Sequence, residues 1–216
     1  MSEGLSTRPA TATDHGRFSL PWFPLFLAGA MAAIHFAGAA WSEVLIFDRA
    51  RIEAGEIWRL VTGHLVHLNL QHLLWNAIAF VVLAAMARHD EGISYTRQAG
   101  IMLAGVAVID VALYAGPLSF YAGFSGVLNA LWAVMIVEAW RQKKSLLIAG
   151  IGLLSLAKIG YEALTAKTLF FDTPWPAAFE GHAGGVAAGL LFLAAERLWP
   201  RGKRRTQALS TLNALV

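Results

Sequence analysis

The chain has 216 residues, 57% of them hydrophobic and only 14% charged, with a formal net charge of +3. A soluble globular domain carries about 25% charged residues, so this composition, with a mean hydropathy of +0.55, excludes a water-surrounded fold, a disordered chain and a coiled coil and points to a membrane protein. Cysteine is absent, which excludes disulfides, thiolate zinc sites, Fe–S clusters and a thiol nucleophile.

Residues 1–20 are polar, hold Arg8, Asp14, His15 and Arg17, and read as a cytoplasmic tail without a cleavable signal. A helix needs about 20 apolar residues to cross a bilayer. Six stretches meet that length: 21–41, 69–87, 97–115, 123–140, 145–166 and 181–199. Basic residues collect on the cytoplasmic side of a membrane. With the N-terminus inside, that side receives Arg8, Arg17, Arg88, Arg97, Arg141, Lys143, Lys144 and Arg197, then the basic tail. The outer side receives only Arg49, Arg51, Arg59 and Lys167. Both termini are therefore expected in the cytoplasm. Residues 42–68 form a long outer loop too apolar for free solvation, which predicts a segment lying partly in the interface. The tail 200–216 holds Arg201, Lys203, Arg204 and Arg205 and reads as a topology anchor on anionic lipid rather than a nucleic-acid site. No internal repeat and no second soluble domain is visible. The expected fold class is an all-α membrane protein, a six-helix bundle.

Polar residues inside membrane spans are costly and usually functional. The main set is His72 and Asn76 in the second span, Ser125 at the head of the fourth and His182 at the head of the sixth. These spans run in the same direction. His72, Ser125 and His182 precede the first basic residue at the inner end, Arg88, Arg141 and Arg197, by 16, 16 and 15 residues. At the helical rise each lies roughly 23–24 Å above that charge ring, so the three share one level. A lone Ser in such a helix usually bonds back to its own backbone, and a lone His or Asn is often interhelical glue. Four such groups at one depth argue for a site instead.

Ser125 lies in Gly123-Phe124-Ser125-Gly126, where glycines permit a tight turn and close approach. A serine at a helix N-terminus also sits beside free N–H donors that can hold an oxyanion. The four-residue motif alone is common by chance. His182 is followed by Gly185 and Gly189, and Ser125 by Gly126 and Ala130. Two small-residue faces allow two helices to meet closely, which brings Ser125 and His182 within hydrogen-bond reach.

Lys158 and Glu162 are four apart in the fifth span and share a face. They are either a structural ion pair or a polar lining where a substrate comes in. Asp110 in the third span is either a partner for another span or a substrate contact, and His35 reads as glue. Glu180 and Asp172 precede His182, but a loop carboxylate is more often solvated. His64, His67 and His72 lack the H-E-x-x-H pattern and a nearby carboxylate, so no metal site is expected.

The ordered set Trp58-Arg59, His67, His72, Asn76, Gly123-Phe124-Ser125-Gly126 and His182-x-x-Gly185-x-x-x-Gly189 resembles the rhomboid intramembrane serine proteases, over nearly the whole six-span region 21–199. The resemblance implies Ser125 as nucleophile, His182 as general base and acid in a Ser-His dyad, and His72, Asn76 and the Ser125 N–H as oxyanion hole. It implies that Trp58 and Arg59 stabilise the first loop. It also implies no cofactor, a membrane-anchored protein substrate, and a bacterial inner membrane with the active site facing the periplasmic or outer side. The stretch Trp58–Asn76 is most similar to the rhombosortase branch, thought to process C-terminal Gly-Gly-containing anchor tails. One departure is Asn129, four residues after the serine, where better-known bacterial members often carry a Tyr stacked on the catalytic His. That departure leaves the orientation of the His182 ring open; an amide hydrogen bond is one substitute for the stacking. The rival function is a non-catalytic relative that binds and escorts membrane clients; such relatives typically lose the serine or histidine, and both are present here. A transporter would show repeats or broken helices in matching positions, and none is found.

Overall fold

The computed structural model describes residues 21–169, 175 and 177–198. The expected tails 1–20 and 200–216, with Asp172, lie outside the described residues. The first expected span is not one helix. Helix α1 covers Trp22–Phe36 and α2 covers Ala39–Leu45, and the two are bent by 118°. The break falls at Gly38, whose φ of +98° lies in a region that costs any side chain with a Cβ. Helix periodicity cannot see such a hinge when the residues on both sides are apolar.

The loop 42–68 is folded throughout. Strand β1 (Phe47–Asp48) leads into α3 (Arg49–Glu53), followed by α4 (Arg59–Thr62) and a turn of 3-10 helix at Gly63–Leu65. Strand β1 pairs antiparallel with β2 (Phe120–Tyr121). This short ladder departs from the all-α expectation and joins the first loop to the segment just before Ser125. Arg59 is buried and donates to the carbonyls of Glu43 and Ile46 at 2.7 and 2.8 Å and to Glu56. Its guanidinium thereby gives partners to carbonyls at the C-terminal end of α2, where the helix itself supplies none. Trp58 is half-exposed and donates from Nε1 to Val44 O. Arg49 closes the far end of the same unit, donating to the carbonyls of Leu113, Gly116 and Leu118 at 2.6–2.8 Å.

Five long helices follow: α5 (Leu70–His89), α6 (Tyr95–Ala115), α7 (Ser125–Lys143), α8 (Leu146–Thr165) and α9 (Phe179–Leu198). Asn69 caps α5 by accepting from His72 N at 2.7 Å, and Ser94 caps α6 by accepting from Arg97 N; both side chains take up an orphan first-turn donor. Among the described residues, α5, α6 and α8 are long and apolar enough to cross a membrane, and the bent pair α1–α2 makes a fourth candidate. Helices α7 and α9 fall short of six apolar spans for a physical reason. Helix α7 carries Asn129, Glu138, Arg141, Gln142 and Lys143, and the inward face of α9 is mostly glycine, alanine and histidine; both helices pack on protein: Gly126, Val127, Leu128, Ala130, Leu131, Ala133, Val134 and Met135 of α7 are buried, as are Gly181, His182, Gly184, Gly185, Ala188, Gly189 and Leu193 of α9.

Helices α6, α7 and α9 form the packed centre. At the end of the bundle away from Ser125, Arg97 of α6 binds Glu138 of α7 at 2.7 Å and Glu196 of α9 at 2.8 Å. At the other end the α7 and α9 N-termini lie together. The core runs through Phe80, Ile101, Ile109, Leu113, Val127, Leu131 and Ala188, all fully buried.

Candidate active site

Ser125 opens α7 directly after Gly123, whose φ is +121°. A Cβ at Gly123 would lie 2.6 Å from the His72 ring, so the turn that aims Ser125 also receives the α5 imidazole, and only glycine fits there. The Gly123 N–H donates to Gly63 O at 3.2 Å, which ties the turn to the first loop. Across from it, the glycine faces of α7 and α9 meet at backbone distance. A Cβ on Gly185 would collide with the Gly126 carbonyl, and one on Gly189 with the Ala130 carbonyl. A Cβ on Gly126 would lie 2.8 Å from Gly181 O.

This contact brings the two helix heads together. Ser125 Oγ lies 2.8 Å from His182 Nε2. On the other side of the ring, His182 Nδ1 lies 2.6 Å from Glu162 Oε2 of α8. The second Glu162 oxygen accepts from Lys158 Nζ at 2.6 Å. Lys158 and Glu162 thus form the ion pair that their spacing indicates, and both also line the cavity beside the site. The bond from Glu162 to His182 was not legible in the sequence. The partner is twenty residues away on another helix, and the local signal was spent on Lys158. Of the carboxylates near His182 in sequence, Glu180 packs beside Gly116.

His72 and Asn76 occupy one face of α5 and open onto the same cavity as Ser125 and His182. Asn76 Nδ2 donates to His72 O at 2.9 Å; an amide nitrogen carries two hydrogens, so one remains. Asn129, whose effect on the His182 ring the sequence left open, turns away from it. Its amide donates to Ser125 O at 2.8 Å, a turn back along its own helix, and the hydrogen bonds to the ring come instead from Ser125 and Glu162. Asp110 is set apart, 3.3 Å from His64 Nε2, and is not among the cavity-lining residues. His67 is buried, its Nδ1 donating to Leu65 O, with its ring 4.9 Å from that of His72. Burial, with His72 adding in the same direction, pushes its pKa down to about 3, so it is neutral. His35 Nδ1 donates to His67 O at 3.3 Å, which ties α1 to the first loop rather than to another helix.

The cavity has a volume of about 860 Å³. One wall is a stripe of α5, His72, Trp75, Asn76, Ala79, Val82, Leu83 and Met86, at helical spacing over about 21 Å. The other walls come from Leu128, Asn129 and Trp132 of α7, from Ser155, Lys158 and Glu162 of α8, and from the segment 117–122. Chemically, the site offers a hydroxyl at hydrogen-bond distance from an imidazole, amide and backbone N–H donors beside it, and an apolar groove leading to it.

No curated protein matches the chain. A family model described as Rhomboid domain matches residues 54–197, a range that includes Ser125, His182, His72, Asn76 and Glu162.

Proposed function

The chain belongs to the rhomboid family, a family of intramembrane serine proteases, and from that premise we propose that it cleaves a membrane-anchored protein within or beside its transmembrane segment, with Ser125 as nucleophile and His182 as base. It is a multi-pass membrane protein. The observation that carries the reading is the 2.8 Å contact of Ser125 Oγ with His182 Nε2 at the end of an apolar groove. A serine hydroxyl is a poor nucleophile at neutral pH and needs an adjacent base. In the reaction His182 Nε2 takes the Oγ proton as Oγ attacks the scissile carbonyl, then returns it to the leaving amine. The developing oxyanion is met by the Ser125 N–H, the remaining Asn76 amide hydrogen and the His72 ring. Donors placed where charge develops are worth about 10²–10³-fold in rate each. Water then hydrolyses the acyl-enzyme, and since hydrocarbon excludes water it reaches the site from the outer side.

In this reading the six long segments all cross the bilayer with both ends in the cytoplasm, supported by the basic residues at the Arg97 end of the bundle. The membrane is a bacterial inner membrane and the site faces its outer side. The stretch Trp58–Asn76 supports the rhombosortase branch, and with it a substrate bearing a Gly-Gly-containing anchor tail. Trp58, Arg59 and His67 support the first loop, and Gly123, Gly126, Gly185 and Gly189 set the backbone approach. The competing function, a non-catalytic escort of membrane clients, leaves the Ser125–His182 contact without a purpose.

Ser125→Ala and His182→Ala should each abolish cleavage of a transmembrane substrate by the purified protein. The double variant should be no worse than either, because the two residues act as a unit. A fluorophosphonate should label the native protein and not Ser125→Ala. Cleavage that persists in Ser125→Ala would overturn the protease reading.

A further inference from the structure

Glu162 is fully buried in a helix that otherwise buries only Ile159. A buried carboxylate is expensive unless its oxygens are paired, and both are: Oε1 with Lys158 Nζ and Oε2 with His182 Nδ1, each at 2.6 Å. For an ion pair that only stabilised the bundle, Lys158 alone would suffice and the carboxylate could stay at the surface; buried ion pairs are weak devices for stability. Here the second oxygen instead points across to the one ring nitrogen that Ser125 does not use.

We infer that Glu162 is the positioning residue of the catalytic histidine, making the site a Ser125–His182–Glu162 relay rather than a Ser-His pair; this rests on the protease reading above. A carboxylate accepts only, so His182 Nδ1 carries a hydrogen and donates it to Glu162. The tautomer is thereby fixed, with Nε2 holding the lone pair that receives the Ser125 Oγ proton. When that proton transfers, the imidazolium forms between two oxygens and Glu162 stays ionised, its charge stabilising the cation without taking the proton. Lys158 holds the carboxylate from the other side and keeps its plane aimed at the ring. The third group comes from α8, whereas Ser125 and His182 come from the packed α7–α9 pair.

Glu162→Gln keeps the size and removes the charge, and the amide can face Nδ1 with a donor, favouring the wrong tautomer. It should lower kcat by about 100-fold or more, as loss of the orienting carboxylate does in other hydrolytic triads, with KM changed less than about threefold and with slower fluorophosphonate labelling of Ser125. In the native protein labelled with ¹⁵N-histidine, the resonance lost in His182→Gln should show the hydrogen on Nδ1, with a proton shifted far downfield by the short bond. A kcat within about threefold of native in Glu162→Gln, or a hydrogen on Nε2 of His182, overturns the relay, and the NMR result stands even where the variant fails to fold. If Ser125→Ala and His182→Ala abolish cleavage while Glu162→Gln does not, the relay alone falls; if Ser125→Ala still cleaves, the protease reading falls first.

Discussion

Two sides of His182 are built in opposite ways. Toward α7 the contact is backbone against backbone: Gly185 and Gly189 of α9 lie on the carbonyls of Gly126 and Ala130, and a salt-bridge cluster at Arg97 pins the ends of α6, α7 and α9 away from Ser125. Toward α8 the contact is side chain against side chain. Only 6% of the α8 apolar stretch is buried, against 39% for α5, and Leu146, Leu147, Leu153, Leu154 and Leu164 are exposed. Ser125 and His182, the proposed nucleophile and base, are thus set by rigid backbone packing, while the Glu162 carboxylate that meets the ring rides on a helix with little of its surface buried. The first kind of contact tolerates no added atom. The second is sensitive at its few polar groups and at the tight points Gly152 and Ile159, and leaves most of the helix open.

The largest effect should come from breaking the rigid side. In Gly185→Ala the new methyl must occupy the place of the Gly126 carbonyl, which backbone cannot yield without separating the helices. A displacement near 1 Å of a catalytic pair can cost about 100-fold in rate. Turnover should fall by at least that much and the melting temperature should drop as well. Near-native turnover would mean that α9 does not lean on α7 at this point.

A smaller effect tests the wall that α5 presents to α8. Asn76→Ala removes a buried side chain that, in the proposed reaction, supplies one oxyanion donor. It should lower kcat by about 10–1000-fold, at the lower end because the Ser125 N–H and His72 remain, and leave KM nearly unchanged. An effect confined to KM would move Asn76 from the reaction to substrate binding.

The first loop belongs to the rigid side, and pH tests it. The pKa of His67 is held at about 3, against 6.5 in an ordinary environment. Between those values the unfolded chain binds a proton that the folded chain does not, so stability falls as pH drops from about 6.5 toward 3 and rises with pH across the same window. The melting temperature of the native protein should follow that slope. His67→Gln should flatten it, and an unchanged slope would mean that His67 is not the buried neutral group it is here.

Much of this was legible in advance because helices announce themselves locally. The expected stretches 69–87, 97–115, 123–140, 145–166 and 181–199 each fall within three residues of α5 to α9, and counting to Arg88, Arg141 and Arg197 placed His72, Ser125 and His182 at one level before any coordinate. What stayed hidden was non-local or irregular. The hinge at Gly38 lies within an unbroken apolar run. Pairing of Phe47 with Tyr121 joins two-residue strands too short to carry a pattern. The sequence left open what Asn129 does beside the His182 ring; its amide bonds to the i−4 carbonyl of its own helix. Glu162 had a visible partner in Lys158, and nothing in a 3.6-residue period tells which of two carboxylate oxygens faces another helix.

The smallest effect is the sharpest comparison, since it makes the same substitution on the loose side. Gly160 lies in α8, exposed, and a Cβ there meets nothing within 4 Å. It is two residues from Glu162, closer along the chain to the His182–Glu162 contact than Gly185, which is three residues from His182. If proximity alone governed sensitivity, Gly160→Ala would be damaging. If packing governs it, the added methyl enters open space, and in a helix interior alanine is favoured over glycine by up to about 1 kcal/mol because it has less freedom to lose. Gly160→Ala should therefore leave kcat and KM within about twofold of native and leave the melting temperature equal or slightly higher, while Gly185→Ala fails in both. A marked loss of activity in Gly160→Ala, at unchanged stability, would show that this face of α8 is pressed against something during turnover, and the loose side would then have to be counted as part of the machinery.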